Sequence, residues 1–170
     1  MTDDSSGWAT SAARSVADVD VMATADFAIH KARVGQAPRD VEPGAYTVIF
    51  EPNATYDLLS TFYGVLDAKA AHEGRSCLRD KEGEKVAGDN ITIASVPTHA
   101  DVGRSATIEA GLPAPEVKWI DAGTLANLRY SRYWAAKSDH AVTQPVNFVM
   151  QGGEGSVDDL IASTERGILV

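Results

Sequence analysis

The sequence predicts an α+β domain with a mainly antiparallel β-sheet, a long helix after the first strand and a capped helix close to the C-terminus. Two observations carry that expectation. Short apolar runs of strand length outnumber helical stretches and are joined by hairpin-like turns. No regular strand, helix, strand alternation occurs, which argues against a parallel sheet. With 170 residues, 44% of them hydrophobic, the chain can bury a real core.

Residues 1–17 are rich in Ser, Thr, Asp and Ala and have little periodicity, so they read as a loosely held lead-in. From Asp20 the pattern sharpens. Val21, Met22, Ala25, Ala28, Ile29 and Ala32 fall on one helical face, and Gly35 is the stop. His30 lies off that stripe and reads as a solvated helix residue. A connector containing Pro38 and Pro43 follows.

The stretch from Pro43 to Gly74 organises the rest. Tyr46, Thr47, Val48, Ile49 and Phe50 are all β-branched or aromatic and follow a Pro-Gly turn, which predicts a strand buried on both faces. Glu51 and Pro52 end the pairing, because proline donates no ladder hydrogen bond, and Asn53 is placed to cap a helix. That helix is expected over 54–73. Ala54, Leu58, Phe62 and Leu66 recur every fourth position beside Leu59 and Val65, and Gly74 supplies the C-terminal stop.

Arg75 to Asn90 is polar and punctuated by glycine, the composition of a functional or interface loop. Ile91 to Ala94 is a short strand that Pro97 ends, and Ser105 to Glu109 is a candidate strand. Val117 to Tyr130 reads as a β-hairpin turning at Asp121, Ala122 and Gly123, with a helical turn through Arg132 to Lys137 after it. Val146 to Met150 is apolar enough for a strand. In the last helix, Ser156 and Asp159 approximate a capping box, Leu160 and Ile161 are expected to point inward, and Gly167 closes it. Ile168, Leu169 and Val170 form a final strand-like run whose unpaired backbone needs a partner strand.

Composition excludes several functions. The net charge is −9, from 15 basic and 24 acidic residues with no basic run, which argues against direct nucleic-acid binding. The helix expected over 54–73 carries Asp57, Asp67, Lys69 and His72, so it does not suit a membrane. The acidic, polar N-terminus MTDDSSGW is unlike a signal peptide, and Cys77 is the only cysteine, so no intrachain disulfide is possible. A cytoplasmic location is the simplest expectation.

Beyond the strand and helix, four blocks carry a resemblance: EGRS at Glu73 to Ser76, GEKVAGDNITI at Gly83 to Ile93, LRYSRYWAAK at Leu128 to Lys137, and GEGSVDDLIASTERGILV from Gly153 to Val170. From Val41 onward the chain resembles the TldD/PmbA proteins, zinc-dependent peptidases and their zinc-less homologues. The resemblance implies a TldD/PmbA C-terminal-domain-like fold for 41–170, with 1–40 a remnant of, or linker from, an N-terminal domain. It also implies a fragment, since proteins of this family continue further and carry a whole N-terminal domain. Some of them bear the historical label "modulator of DNA gyrase", which the charge balance here does not support.

A zinc peptidase needs imidazoles on one helical face, a third ligand and a carboxylate to take a proton from the metal-bound water. In the catalytic branch of the family the motif is H-E-x-x-x-H. Laid on this sequence, its positions are held by Glu51, Pro52, Asn53, Ala54, Thr55 and Tyr56, so Glu51 and Tyr56 replace the histidines and Pro52 the glutamate. The resemblance therefore points to the zinc-less, PmbA-like branch, with no catalytic, cofactor or metal residues assigned. The implied partner is a TldD-like zinc peptidase subunit, or a second copy, acting on unfolded peptides in the maturation or degradation of small peptides. Whether the chain has activity of its own stays open.

Other residues could rebuild such chemistry. His72 and Glu73 begin like a zincin helix, but Arg75 and Ser76 stand where the next histidine belongs. Cys77 is close in sequence to His72, and the plain reading is a buried, inert thiol. His99 with Asp101, and Asp139 with His140, are loop pairs that could bind metal after folding. Gly152, Gly153 and Gly155 before the last helix could bind an anion or simply form a turn. RYSRYW, from Arg129 to Trp134, could recognise a peptide or form a packed strand-to-helix corner. A self-sufficient metal- or thiol-dependent peptidase and a non-catalytic interaction module are the alternatives.

Overall fold

A computed structural model describes residues 5–13, 15–103 and 105–170. It divides into two compact units, one running up to Val48 and including Arg166–Ile168, the other made of Ile49–Glu165 with Leu169–Val170. Among the described residues no helix is long and apolar enough to cross a membrane.

The first unit holds helix α1, Val21–Val34. It starts as the sequence predicts: the Asp20 carboxylate accepts from Ala23 N–H at 2.8 Å and Gly35 is the C-cap. Its apolar stripe does not form a core, however, because only Ala32 is buried and Val21, Met22 and Ile29 are exposed.

Strand β1, Thr47–Ile49, departs from the expectation of a strand buried on both faces. Among the described residues it pairs only with β6, Gly167–Leu169, in a two-stranded sheet distinct from the main one, and Thr47 and Val48 are exposed. The final apolar run thus has its partner strand. Val170 N–H donates to Ile49 O at 2.9 Å, and Val170 O accepts from Glu51 N–H at 2.8 Å, the bond pattern of a parallel pair.

Helix α2, Pro52–Val65, begins two residues earlier than the capping argument allowed. Glu51, not Asn53, is the N-cap, and Pro52 takes the first helical position, where its missing N–H costs nothing and its fixed φ suits the helix. The expected long helix also breaks. The Asp67 carboxylate accepts from Ala70 N–H at 2.8 Å and starts a separate helix α3, Ala68–His72. Gly74, at φ +75°, ends α3: Gly74 N–H reaches Ala71 O at 3.0 Å and Arg75 N–H reaches Ala70 O at 2.7 Å, a Schellman closure.

The main sheet has the order β4-β3-β2-β5, all antiparallel, with β2 Ile93–Ser95, β3 Val117–Asp121, β4 Thr124–Leu125 and β5 Val149–Met150. The β3–β4 hairpin turns through Ala122 and Gly123, both at positive φ, as a two-residue loop requires. Its return strand is shorter than expected. Residues 105–109 form no strand: Thr107 makes an isolated bridge to Pro113, and Glu109–Gly111 is a 3-10 turn.

The core lies where α3 and the segment entering helix α4, Arg132–Ser138, meet this sheet. Leu66, Ala68, Ala71, Trp119, Leu125, Leu128, Tyr130 and Ala135 are buried there. From α2, Leu59, Phe62 and Val65 pack against it, while Leu58, expected on the same face, is exposed and Leu59 takes the inward position instead. Helix α5, Val157–Ser163, has the full capping box between Ser156 and Asp159. It ends at Thr164, before Gly167, and Leu160 and Ile161 are exposed where the sequence predicts burial.

Gly123 gives a direct test of this packing. Its φ is +80°, and a methyl group on its Cα would run into the backbone oxygens of Ala87 and Gly88. Gly123→Ala is therefore expected to destabilise the chain by more than about 1 kcal/mol, seen as a lower urea midpoint at unchanged m-value.

Candidate functional site

Two regions hold the residues singled out by the sequence. The first is the junction between β1 and α2. Glu51 caps the helix, Pro52 is its first residue, and Tyr56 lies one turn further on with its side chain 70% exposed. Proline offers no donor atom to a metal, and a phenol and a single carboxylate do not make the imidazole set that zinc requires. The residues at these positions do not fit a catalytic zinc ion. Among the described residues, no group of three or more His, Cys, Asp and Glu side chains could hold a metal elsewhere.

The second region is built by α3, the 75–90 loop and α4. His72, on the last turn of α3, contacts the aromatic side chains of both Tyr130 and Trp134. Trp134 Nε1–H donates to His72 Nδ1 at 3.1 Å, and His72 Nε2 is 3.3 Å from Tyr130 Oη. The Tyr130 hydroxyl donates to Glu82 Oε2 at 3.2 Å, and the His140 ring stacks on Tyr130 at 4.3 Å between centroids, 9° from parallel. Burial first, and then the charge and hydrogen bond of Glu82, push the Tyr130 phenol up to about 12. Tyr130 therefore stays a hydrogen-bond donor across the neutral range.

This arrangement brings His72 to the Arg129-to-Trp134 cluster, about 60 residues later in the chain, and to His140 just beyond it. The cluster forms a strand-to-helix corner: Tyr130 and Ala135 are buried, Trp134 is half-buried, and Tyr133 is exposed. A general base needs an open nitrogen facing a nucleophile, and both nitrogens of His72 are engaged within the protein. Glu73 binds Arg75 at 2.5 Å, which holds its carboxyl below the usual range. Glu82 was not identifiable as part of this group, since no local spacing marks a loop glutamate that meets a tyrosine 48 residues later.

The remaining candidates stay apart. Cys77 is exposed, not buried as expected, because the turn after Gly74 directs Leu78 into the core instead. It lines a cavity of about 230 Å³ with Thr61, Gly64, Val65, Ala70, Arg75 and Ser76, and His72 is not among the lining residues. His99 Nδ1 accepts from Asp101 N–H at 3.2 Å, a local loop contact. Asp139 is the left-handed C-cap of α4, and Ser138 O accepts from His140 Nδ1 at 2.7 Å. Around the glycines at 152, 153 and 155, the Asp159 carboxylate takes the position an anion would need. It accepts from Ser156 N–H at 2.7 Å and its pKa is lowered by that bond.

The model of the PmbA/TldA metallopeptidase C-terminal domain matches residues 43–170, most of the chain. The chain belongs to the TldD/PmbA family. It is 26% identical over 139 residues to a metalloprotease of Methanothermobacter thermautotrophicus, covering 74% of this chain and 31% of that protein. An uncharacterised protein of Methanocaldococcus jannaschii is 28% identical over 127 residues, covering 66% of this chain and 30% of its own length. Among solved structures, a candidate modulator of DNA gyrase from Bacteroides thetaiotaomicron superposes with a TM-score of 0.84 at 26% identity, covering 93% of this chain and 37% of that one. TldE from Thermococcus kodakarensis superposes with a TM-score of 0.71 at 23% identity, covering 86% and 38%, a likeness of fold. The chain thus spans about a third of the length of the relatives it matches. The α+β fold with its antiparallel sheet is that of the TldD/PmbA neighbours.

Proposed function

We propose that this chain is the C-terminal-type portion, 41–170, of a zinc-less, PmbA-like subunit. Its role is to assemble with a TldD-like zinc peptidase in the cytosolic proteolysis or maturation of small peptides. The observation that supports the reading is the side-chain chemistry of the β1–α2 junction, an acid, a proline and a phenol at positions that the resemblance lays against H-E-x-x-x-H. Such a junction makes a strand-to-helix turn but offers no imidazole to hold the ion.

A partner role is supported by α2, which has no fully buried residue and exposes Tyr56, Leu58 and Tyr63. The partner is a TldD-like subunit, with a second copy of this chain as the other arrangement, and unfolded peptide is the substrate of the assembly. The net charge of −9 gives no support to direct action on DNA.

The experiment is a peptidase assay on unfolded peptide with the chain alone, with a TldD-like subunit of the same organism, and with both. Cleavage by the mixture beyond that of the TldD-like subunit alone, with none from the chain alone, is the expected outcome. Cleavage by the isolated chain, or no physical association with the TldD-like subunit, would contradict the proposal.

A further inference from the structure

The cluster around His72 contains a directed set of hydrogen bonds whose sense is fixed by one chemical fact. An indole N–H can donate and cannot accept. Because Trp134 Nε1 lies 3.1 Å from His72 Nδ1, that nitrogen must present a lone pair. In the neutral ring the proton then sits on Nε2, 3.3 Å from Tyr130 Oη. The phenol in turn spends its hydrogen on Glu82 Oε2 at 3.2 Å. Indole, imidazole, phenol and carboxylate form a one-way series in which each donor has one acceptor.

We propose that His72 and Trp134 form a pH-gated latch between α3 and α4, closed when His72 Nδ1 is unprotonated and opened when it gains a proton. A second proton on the ring has one place to go. It lands on Nδ1, where the indole hydrogen already points, so two donors face each other and the bond joining the helices is lost. The other end of the series is indifferent to the change, since Nε2–H donates to Tyr130 in both states.

The groups around His72 are mixed in sign. From α3 come Lys69 and Glu73, the latter bound to Arg75. The 75–90 loop contributes Glu82 through Tyr130. From α4, Lys137 lies over the Trp134 ring at 4.8 Å, and beyond it the His140 ring is 6.4 Å from that of His72. Charge alone does not decide the state of the latch among these groups; the indole bond is what distinguishes the two forms. His140 is a second imidazole close to the same seam, so the test must separate it from His72.

Opening leaves the core intact, because Tyr130 and Ala135 stay buried beneath the seam. What is released is the half-buried Trp134 indole, beside the exposed Tyr133 on the surface of α4. The device makes the surface presented by α4 sensitive to acid.

The test is a pH titration of the ¹⁵N-labelled full chain from roughly pH 8 to 5, the window in which imidazoles change charge, following the indole N–H resonances. Trp134→Phe assigns the Trp134 signal. That signal is expected to titrate across the window, while the signal of Trp119, whose indole bonds the buried Ser95 hydroxyl at 3.0 Å, stays fixed. In His72→Phe the Trp134 signal should sit at its acid position at every pH, and in His140→Phe the titration should persist. A Trp134 signal independent of pH in the wild-type chain, or a titration that survives His72→Phe, would overturn the proposal.

Discussion

Trp119→Ala is expected to destabilise the chain by about 3–5 kcal/mol, the usual cost of truncating a fully buried large aromatic. Trp119 has no exposed surface and lies at the centre of the sheet on β3, with Phe148 edge-on at 6.3 Å. Its loss removes more than apolar area. Trp119 Nε1–H donates at 3.0 Å to Ser95 Oγ, the one buried polar side chain of the described core, and Ser95 Oγ–H donates onward to Asn147 O at 2.6 Å. Alanine would leave a cavity and take one partner from a hydroxyl that water cannot reach. Urea unfolding followed by far-UV circular dichroism would read the change. Trp119→Phe separates the two contributions, since it keeps most of the volume and deletes the hydrogen bond. A loss below about 1 kcal/mol for the alanine variant would contradict the placement of this residue.

Asp67→Ala is expected to cost roughly 2–4 kcal/mol, because one carboxylate serves two functions. One oxygen caps α3 through Ala70 N–H at 2.8 Å, and the other accepts from Arg129 Nη2 at 2.5 Å. The Arg129 side chain is 17% exposed, lies over the Tyr63 ring at 4.6 Å, and has a buried Nε with no hydrogen-bond partner among the described residues. Removing Asp67 would leave that guanidinium largely buried and without its counter-charge. Partial exposure of the pair keeps the figure below that of a fully buried one. Asp67→Ser retains a capping oxygen without the charge and should fall between wild type and alanine. A cycle with Arg129→Met isolates the coupling between the two residues. Equal stability of the serine and alanine variants would show that the cap contributes nothing, and a coupling near zero would show that the ion pair does not matter.

The elements that local chemistry marks were readable in the sequence. Asp20 and Gly35 bracket α1, the Ser156–Asp159 capping box starts α5, and Ala122-Gly123 turns the β3–β4 hairpin. In each case the signal and its cause lie within a few residues. What failed depends on distant partners. The run from Tyr46 to Phe50 has the composition of a core strand, yet β1 pairs only with β6, some 120 residues later, and composition carries no information about which sheet a strand joins. The division of the long helix into α2 and α3 follows from Asp67 turning to cap Ala70 while binding Arg129, again a pairing across more than 60 residues.

The candidate site divides in the same way. That Glu51, Pro52 and Tyr56 stand together with no histidine among them is a property of the sequence alone. The assembly of His72, Glu82, Tyr130, Trp134 and His140 is not, because each hydrogen bond in it joins segments brought together by the fold. Cys77 shows the opposite error. A lone cysteine reads as a buried thiol, and the tight turn at Gly74 places it at the surface.

Whether the β1–α2 junction can hold zinc is tested most directly by calorimetric titration of the metal-stripped chain with Zn²⁺, with Glu51→Gln and Tyr56→Phe measured beside the wild type. No stoichiometric binding that depends on these two side chains is the predicted result. One equivalent of tightly held Zn²⁺, lost in either variant, would contradict it.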